Sequence, residues 1–250
     1  MTKVDMYKDE LRTLRDWEPF LLKESGLPGP RGNLELAQAA ADLGSPRLLK
    51  RYRALGPIEA PVNSPMEFLA FCGVLGLGKS LGEGDQAALD GLRQFASDSR
   101  WRIREAVAMA LQRWGDVDTK GLLKEMGAWS QGGRLEQRAA VAALCEPRLL
   151  RQPRPAERTL KILDAVTATL PQAPDKRSES FKVLRKTLGY GWSVATAAHP
   201  TAGKPMLERW FKEEDSDVRQ VMKENLRKNR LQRMDPKWTE AWAKRLGVRS

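Results

Sequence analysis

Phe95-Ala-Ser-Asp98-Ser-Arg100-Trp101-Arg-Ile103-Arg104-Glu-Ala106-Val-Ala-Met-Ala-Leu111 is the stretch that decides the fold, because its logic recurs along the chain. Thirty-four positions on, Trp129, Arg138, Ala140, Val141 and Ala142 fall on Phe95, Arg104, Ala106, Val107 and Ala108. At an offset of 115, Trp210, Val218, Arg219 and Leu226 fall on Phe95, Ile103, Arg104 and Leu111. Each copy has an aromatic, a short polar turn, and an Arg near the start of an apolar-faced helix. Repeats of this length are units that cannot bury their apolar face alone and must stack. The expectation is an all-α fold, a right-handed α-solenoid running through residues 1–250 as a single domain. Its clearest repeats are 94–115, 128–146 and 208–231.

Helix punctuation supports this reading outside the repeats. The pattern predicts a first helix from Met6 to Glu24, closed by the Pro- and Gly-rich loop 25–32. A second covers Asn33–Leu43. Ser45-Pro46 and Ser64-Pro65 each supply an N-cap with Pro in the first helical position, and Glu67 is placed to complete a capping box at the latter. Further helices are expected over Asp85–Ser97, Trp101–Trp114, Asp118–Trp129 and Leu135–Glu146. The Pro-rich segment 146–155 reads as a lengthened inter-repeat linker. Beyond it, helices are expected over Ala156–Leu170, Asp175–Leu188, Trp192–Ala198, Lys204–Glu213 and Asp217–Leu231, with a last one between Asp235-Pro236 and Gly247.

Composition narrows the partner. The net charge of +11 suits a polyanion, nucleic acid first and an acidic protein or membrane after it. Two cysteines and one histidine exclude a disulfide framework and a His/Cys metal site, so no metal and no cofactor are expected. The opening residues lack the apolar core of a secretory signal, and no stretch approaches the roughly 18 apolar residues of a spanning helix. A cytoplasmic protein that does not enter membranes is the expectation.

The copies around Arg104 and Arg219 resemble HEAT repeats, with Asp98 and Ile103-Arg104 in one and Asp215 or Asp217 and Val218-Arg219 in the other. The middle copy keeps Arg138 but has no Asp in its turn. The segment Ala96-Ser-Asp98-x-x-Trp101-x-x-Arg104-x-Ala106 is similar to one in the HEAT-like alkylpurine DNA glycosylases. That resemblance implies a basic concave face cradling duplex DNA, with the matching Arg104 upon it, and a link to DNA alkylation repair. The family's aromatic and Asp upstream of this segment are not reproduced: residues 64–74 hold Phe68 and Phe71 but no Asp, and Glu67 is the nearest acid. Stabilising an oxocarbenium-like transition state needs a carboxylate at the sugar. No catalytic residue is therefore assigned. The resemblance carries fold and DNA as partner, with a protein scaffold for an acidic partner and a divergent glycosylase as the alternatives.

The predicted nucleic-acid contacts are Arg100, Trp101, Arg104, Arg138, Arg219, Lys223, Arg227, Lys228 and Arg230. Arg104 and Arg219 read equally well as partners of turn aspartates, whereas Arg138, without such an Asp, is the expected free donor for phosphate. On the helix expected over Asp217–Leu231, Lys223, Arg227 and Arg230 lie at i, i+4 and i+7, one basic stripe opposite the apolar Met222 and Leu226 side. Trp101, in a polar turn, is the tryptophan expected to be exposed. Gly73-Val-Leu-Gly-Leu-Gly78-Lys79-Ser80 fits the Walker A phosphate-loop pattern, yet no strand precedes it. It reads as a glycine-rich helix end and loop, with no nucleotide bound.

Overall fold

The computed structural model describes residues 1–248. Among them every regular element is helical. The chain forms two compact units, the first Met1–Val117 and the second from Asp118 onward.

The first unit contains α1 (Lys3–Thr13), α2 (Glu18–Lys23), α3 (Leu34–Leu43), α4 (Pro46–Arg53), α5 (Pro65–Leu75), α6 (Leu77–Gly82), α7 (Ala87–Phe95) and α8 (Trp101–Val117). Its centre is α5, buried at every residue from Glu67 to Leu75 and packed against α2, α3, α4 and α8. A helix apolar all round has no solvent face and must take such a place. The single helix expected over Met6–Glu24 is two. Pro19 lacks the N–H that a helix interior requires, so the chain restarts just before it. Asp16 accepts a hydrogen bond from the Glu18 N–H, and the Trp17 indole donates to the Leu11 carbonyl across the break at 2.8 Å.

Residues 73–80 depart from the expected loop. They are helical but for Gly76, a single turn residue where the end of α5 runs into α6. Gly73 and Gly78 are there because backbones touch. A Cβ on Gly73 would stand 2.7 Å from the Leu49 carbonyl oxygen, and one on Gly78 would stand 2.8 Å from Ala110 Cα. Gly73 thus lets α5 close on α4, and Gly78 lets α6 close on α8.

The second unit contains α9 (Thr119–Trp129), α10 (Arg134–Leu144), a 3-10 turn (Pro147–Leu150), α11 (Pro153–Thr167), α12 (Glu179–Ala198), α13 (Pro200–Trp210), α14 (Ser216–Leu226), α15 (Asn229–Met234) and α16 (Pro236–Leu246). Here α12 is central and packs on α10, α11, α13, α14 and α15. The Pro-rich segment is not an open linker, since Leu149 and Leu150 are buried and Pro153 begins α11. Nor does α12 break between Leu188 and Trp192, where two separate helices were expected. A Cβ on Gly191 would lie 3.0 Å from both Cys145 Sγ and Val141 Cγ1, and one on Gly189 would lie 3.2 Å from Glu224 Cβ. Close approach, not a turn, is why glycine stands there.

The repeat pattern maps onto real helix pairs. Phe95, Trp129 and Trp210 each end a helix, and Arg104, Arg138 and Arg219 each stand in the first turns of the next. Trp129 and Trp210 are buried as core residues. Trp238 and Trp242 pack on Phe211, with ring centroids 5.7 and 5.0 Å away.

Candidate functional site

Arg100 and Arg104 do not stand ready for phosphate. Arg100 is 1% exposed. Its Nε and Nη2 donate to the two Asp98 oxygens at 3.0 and 2.8 Å, and its Nη1 donates to the Leu55 and Ala60 carbonyls. Arg104 is buried, and its Nη1 donates to the carbonyls of Asp98 and Ser99 at 2.8 and 3.1 Å. Both guanidiniums tie the α7–α8 turn together. The turn aspartate Asp98 is paired with Arg100, not with Arg104. Arg138 is half-buried and engaged within the fold, so it is not the free donor its turn suggested.

In the third copy the aspartates again find other cations. Asp217 is paired with Arg185, and with Lys176 at 3.2 Å. Asp215 caps α14 and accepts from Lys176 at 2.9 Å. Burial works to raise the Asp215 carboxyl, but the Lys176 hydrogen bond and the N–H groups of α14 outweigh it and hold it below the ordinary carboxylate value. Arg219 is left exposed on α14.

The stripe of Lys223, Arg227 and Arg230 is not on one helix. α14 ends at Leu226, Lys228 is extended, and α15 starts at Asn229. Arg227 turns back to Glu224 at 2.6 Å. Lys228, however, is brought to a groove between α12 and α14. Its α12 wall is formed by Lys182, Arg185, Lys186, Gly189 and Tyr190, with spacing i, i+3, i+4, i+7 and i+8, one helical face. Gln220, Val221 and Glu224 form the α14 wall. The groove has a volume of about 440 Å³ and is lined by four cations and one carboxylate. That carboxylate is already paired with Arg227. Lys182 and Lys186 are exposed.

What fixes the groove's width is Asn225, fully buried below it. Its side-chain amide donates to the carbonyls of Leu188 and Val221, and its oxygen accepts from the Ser193 N–H, all at 2.8 Å. Together with Gly189, this seam locks α12 against α14 and sets the cations on either side.

Trp101 is exposed as expected, at 44%. It borders a cavity of about 290 Å³ in the first unit. The Arg102 guanidinium lies over its ring, 4.3 Å from the centroid. Arg102 is also paired with Glu67 at 3.3 Å and donates to the Gly29 carbonyl at 2.7 Å. Glu67 reaches one residue past the expected capping box: its carboxylate accepts from the Asn63 N–H at 2.8 Å.

The chain matches no family model, no curated protein and no solved structure. What it can do must therefore be read from its own side chains.

The Walker-like segment offers no phosphate cradle. Its N–H groups are spent inside the helices, Gly76 to Cys72 and Ser80 to Gly76 for example, and Lys79 Nζ donates to the Asp42 carbonyl at 2.8 Å. His199 is paired with Glu157 at 3.1 Å. Cys72 and Cys145 are buried thiols, the latter pushed up to about 12 by burial. Among the described residues no group of three or more His, Cys, Asp or Glu is placed to hold a metal ion, and no helix is long and apolar enough to cross a membrane.

Sequence reasoning named Lys228 but missed Lys182, Arg185, Lys186 and Tyr190. The signal was present as lysines four apart with Tyr190 a further turn along, yet a helix assumed to end at Leu188 hid the shared face.

Proposed function

We propose that this chain binds nucleic acid, with duplex DNA held through its phosphates along the groove between α12 and α14. The observation that carries the reading is the cation set of that groove: Lys182, Lys186 and Lys228 reach its surface while its one carboxylate is neutralised from outside. A net charge of +11 adds a long-range attraction for polyanions. Tyr190 lines the same wall. The right-handed HEAT-like solenoid belongs to the same proposal, supported by three helix pairs with a common register of aromatic and Arg. The reading is of a binding protein without base excision, because Glu67, the acid nearest the glycosylase-like segment, is buried and paired with Arg102.

The test is the salt dependence of binding to a labelled duplex of about 20 base pairs, a length on the order of two helical turns. Each phosphate contact contributes about 0.9 to the slope of log affinity against log salt, so Lys182→Gln, Lys186→Gln and Lys228→Gln together should flatten it by about 2.7. Between about 50 and about 200 mM salt, the variant should then lose roughly 40-fold less affinity than the parent. Parallel slopes would remove the groove from the interface. No binding by the parent at low salt would discard DNA as partner and turn the search to acidic proteins.

A further inference from the structure

The cavity beside Trp101 lies outside the phosphate-binding reading and has a chemistry of its own. Leu27, Leu34, Phe68, Phe71 and Trp101 line it, so most of what a ligand would touch is apolar and much of it is aromatic. At about 290 Å³ it has roughly twice the volume of a cavity of about 150 Å³ that takes up benzene, so two fused rings fit. Flat rings pack well on aromatic side chains and give up little conformational freedom on binding. Trp101 itself stays exposed, its ring held by the Arg102 guanidinium. A ligand in the cavity would cover apolar surface that the fold leaves open.

The charges decide which ring. Three ionisable side chains line the cavity: Arg31, Arg102 and Glu105. The Arg102 guanidinium is spent on Glu67, the Gly29 carbonyl and Asn63. Glu105 is engaged within the fold as well. Arg31 differs from both. It is exposed, and its side chain has no ion pair or hydrogen bond among the described residues. What the lining offers a ligand is therefore one unpaired positive charge beside apolar surface. A guanidinium grips a carboxylate through two parallel hydrogen bonds. Because Arg31 is exposed, that carboxylate keeps part of its hydration while the ring is buried, and the cost of burying a charge is avoided. A phosphate dianion would find no second unpaired cation in the lining, and a neutral ring would gain nothing from Arg31.

We infer that this cavity is a binding site for an aromatic monocarboxylate of one or two fused rings, with the ring among Phe68, Phe71 and Trp101 and the carboxylate on Arg31. The inference does not rest on the α12–α14 groove, which belongs to the second unit.

The test is isothermal titration calorimetry of the full chain with 2-naphthoate and with its neutral counterpart, 2-naphthamide. The acid should saturate one site, and the amide should bind about tenfold more weakly, the scale of losing a charged hydrogen-bonding partner. Arg31→Gln should weaken 2-naphthoate about tenfold and leave 2-naphthamide within about twofold of the parent. Arg31 ties nothing together in the fold, so that variant should be as stable as the parent. Leu34→Trp, which fills the cavity, should abolish binding of both probes while the far-ultraviolet circular dichroism stays that of the parent. The inference is overturned if 2-naphthoate does not saturate, if the amide binds as tightly as the acid, or if a folded Leu34→Trp variant binds as the parent does. It is overturned equally if Arg31→Gln leaves 2-naphthoate unaffected or weakens both probes alike, or if octanoate, an acid without a ring, binds as tightly as 2-naphthoate. Lys182→Gln, Lys186→Gln and Lys228→Gln together should leave 2-naphthoate binding unchanged; its loss there would assign the anion to the groove and remove the site beside Trp101.

Discussion

Gly78→Ala tests whether residues 73–80 are a packing seam or a phosphate loop. The added Cβ would sit 2.8 Å from Ala110 Cα and closer still to the Ala110 carbonyl oxygen. Carbon atoms prefer about 3.5–4.0 Å. To restore that spacing α6 must move away from α8 by roughly 1 Å, and neither side has a rotamer to yield because both are backbone. Overpacking of this kind costs about 1–3 kcal/mol, and the backbone contact places it at the upper end. Alanine returns about 1 kcal/mol in helix propensity. The net expectation is a loss of about 2 kcal/mol. Gly82→Ala is the internal control: it lies on the same helix, but its Cβ would meet only Val117 Cγ2 at an ordinary 3.5 Å. That substitution should be neutral or stabilise by up to about 1 kcal/mol. Urea denaturation followed by circular dichroism measures both. If Gly78→Ala is as stable as the parent, the close approach of α6 and α8 is not what selects glycine here. Were Gly78→Ala or Lys79→Ala to remove binding of a fluorescent ATP analogue, the phosphate-loop reading would return.

Three further expectations follow from the geometry. Arg100→Ala should cost about 3–5 kcal/mol in denaturation, the scale of breaking a buried ion pair by removing one partner, because Asp98 and the Leu55 and Ala60 carbonyls lose their donor; an unchanged midpoint would show the pair to be dispensable. Asn225→Leu should destabilise the second unit by about 2 kcal/mol or more and weaken duplex binding, since it releases the seam beneath the groove; destabilisation with full affinity would uncouple the seam from binding. Asp215 and Asp235 are both held below their ordinary value of 3.8, Asp215 by Lys176 against the effect of burial and Asp235 by Lys204 and the Trp238 N–H. A depressed carboxyl stabilises above its unfolded value and loses that contribution as pH falls through the folded one. An acid titration should therefore show this stabilisation intact at pH 5 and declining only below about 4, and Lys176→Met should remove much of the Asp215 share.

Several elements were legible in the chain because their causes are local. Asn33, Ser45, Ser64, Asp118 and Asp235 cap the helices that follow them, each accepting a hydrogen bond from an N–H three residues on. Gly247, in the left-handed region at φ 65°, ends the last one. The helix pairs behind Phe95, Trp129 and Trp210 followed from the same kind of evidence, a side chain and its near neighbours. The all-α architecture needs nothing more. The three-dimensional arrangement decided everything that depends on residues far apart. Glycines 73, 78, 189 and 191 signal turns in sequence, but each is small because another element presses on it, and that element is named only by packing. The arginines divide in the same way. Arg104, Arg138 and Arg219 hold one repeated position, yet the first two are engaged inside the fold and the third is exposed. Charge is a property of the residue, whereas availability depends on which partners the fold brings within hydrogen-bonding reach. That is why basicity alone pointed towards a polyanion, and only the packing of α12 on α14 showed where the cations gather.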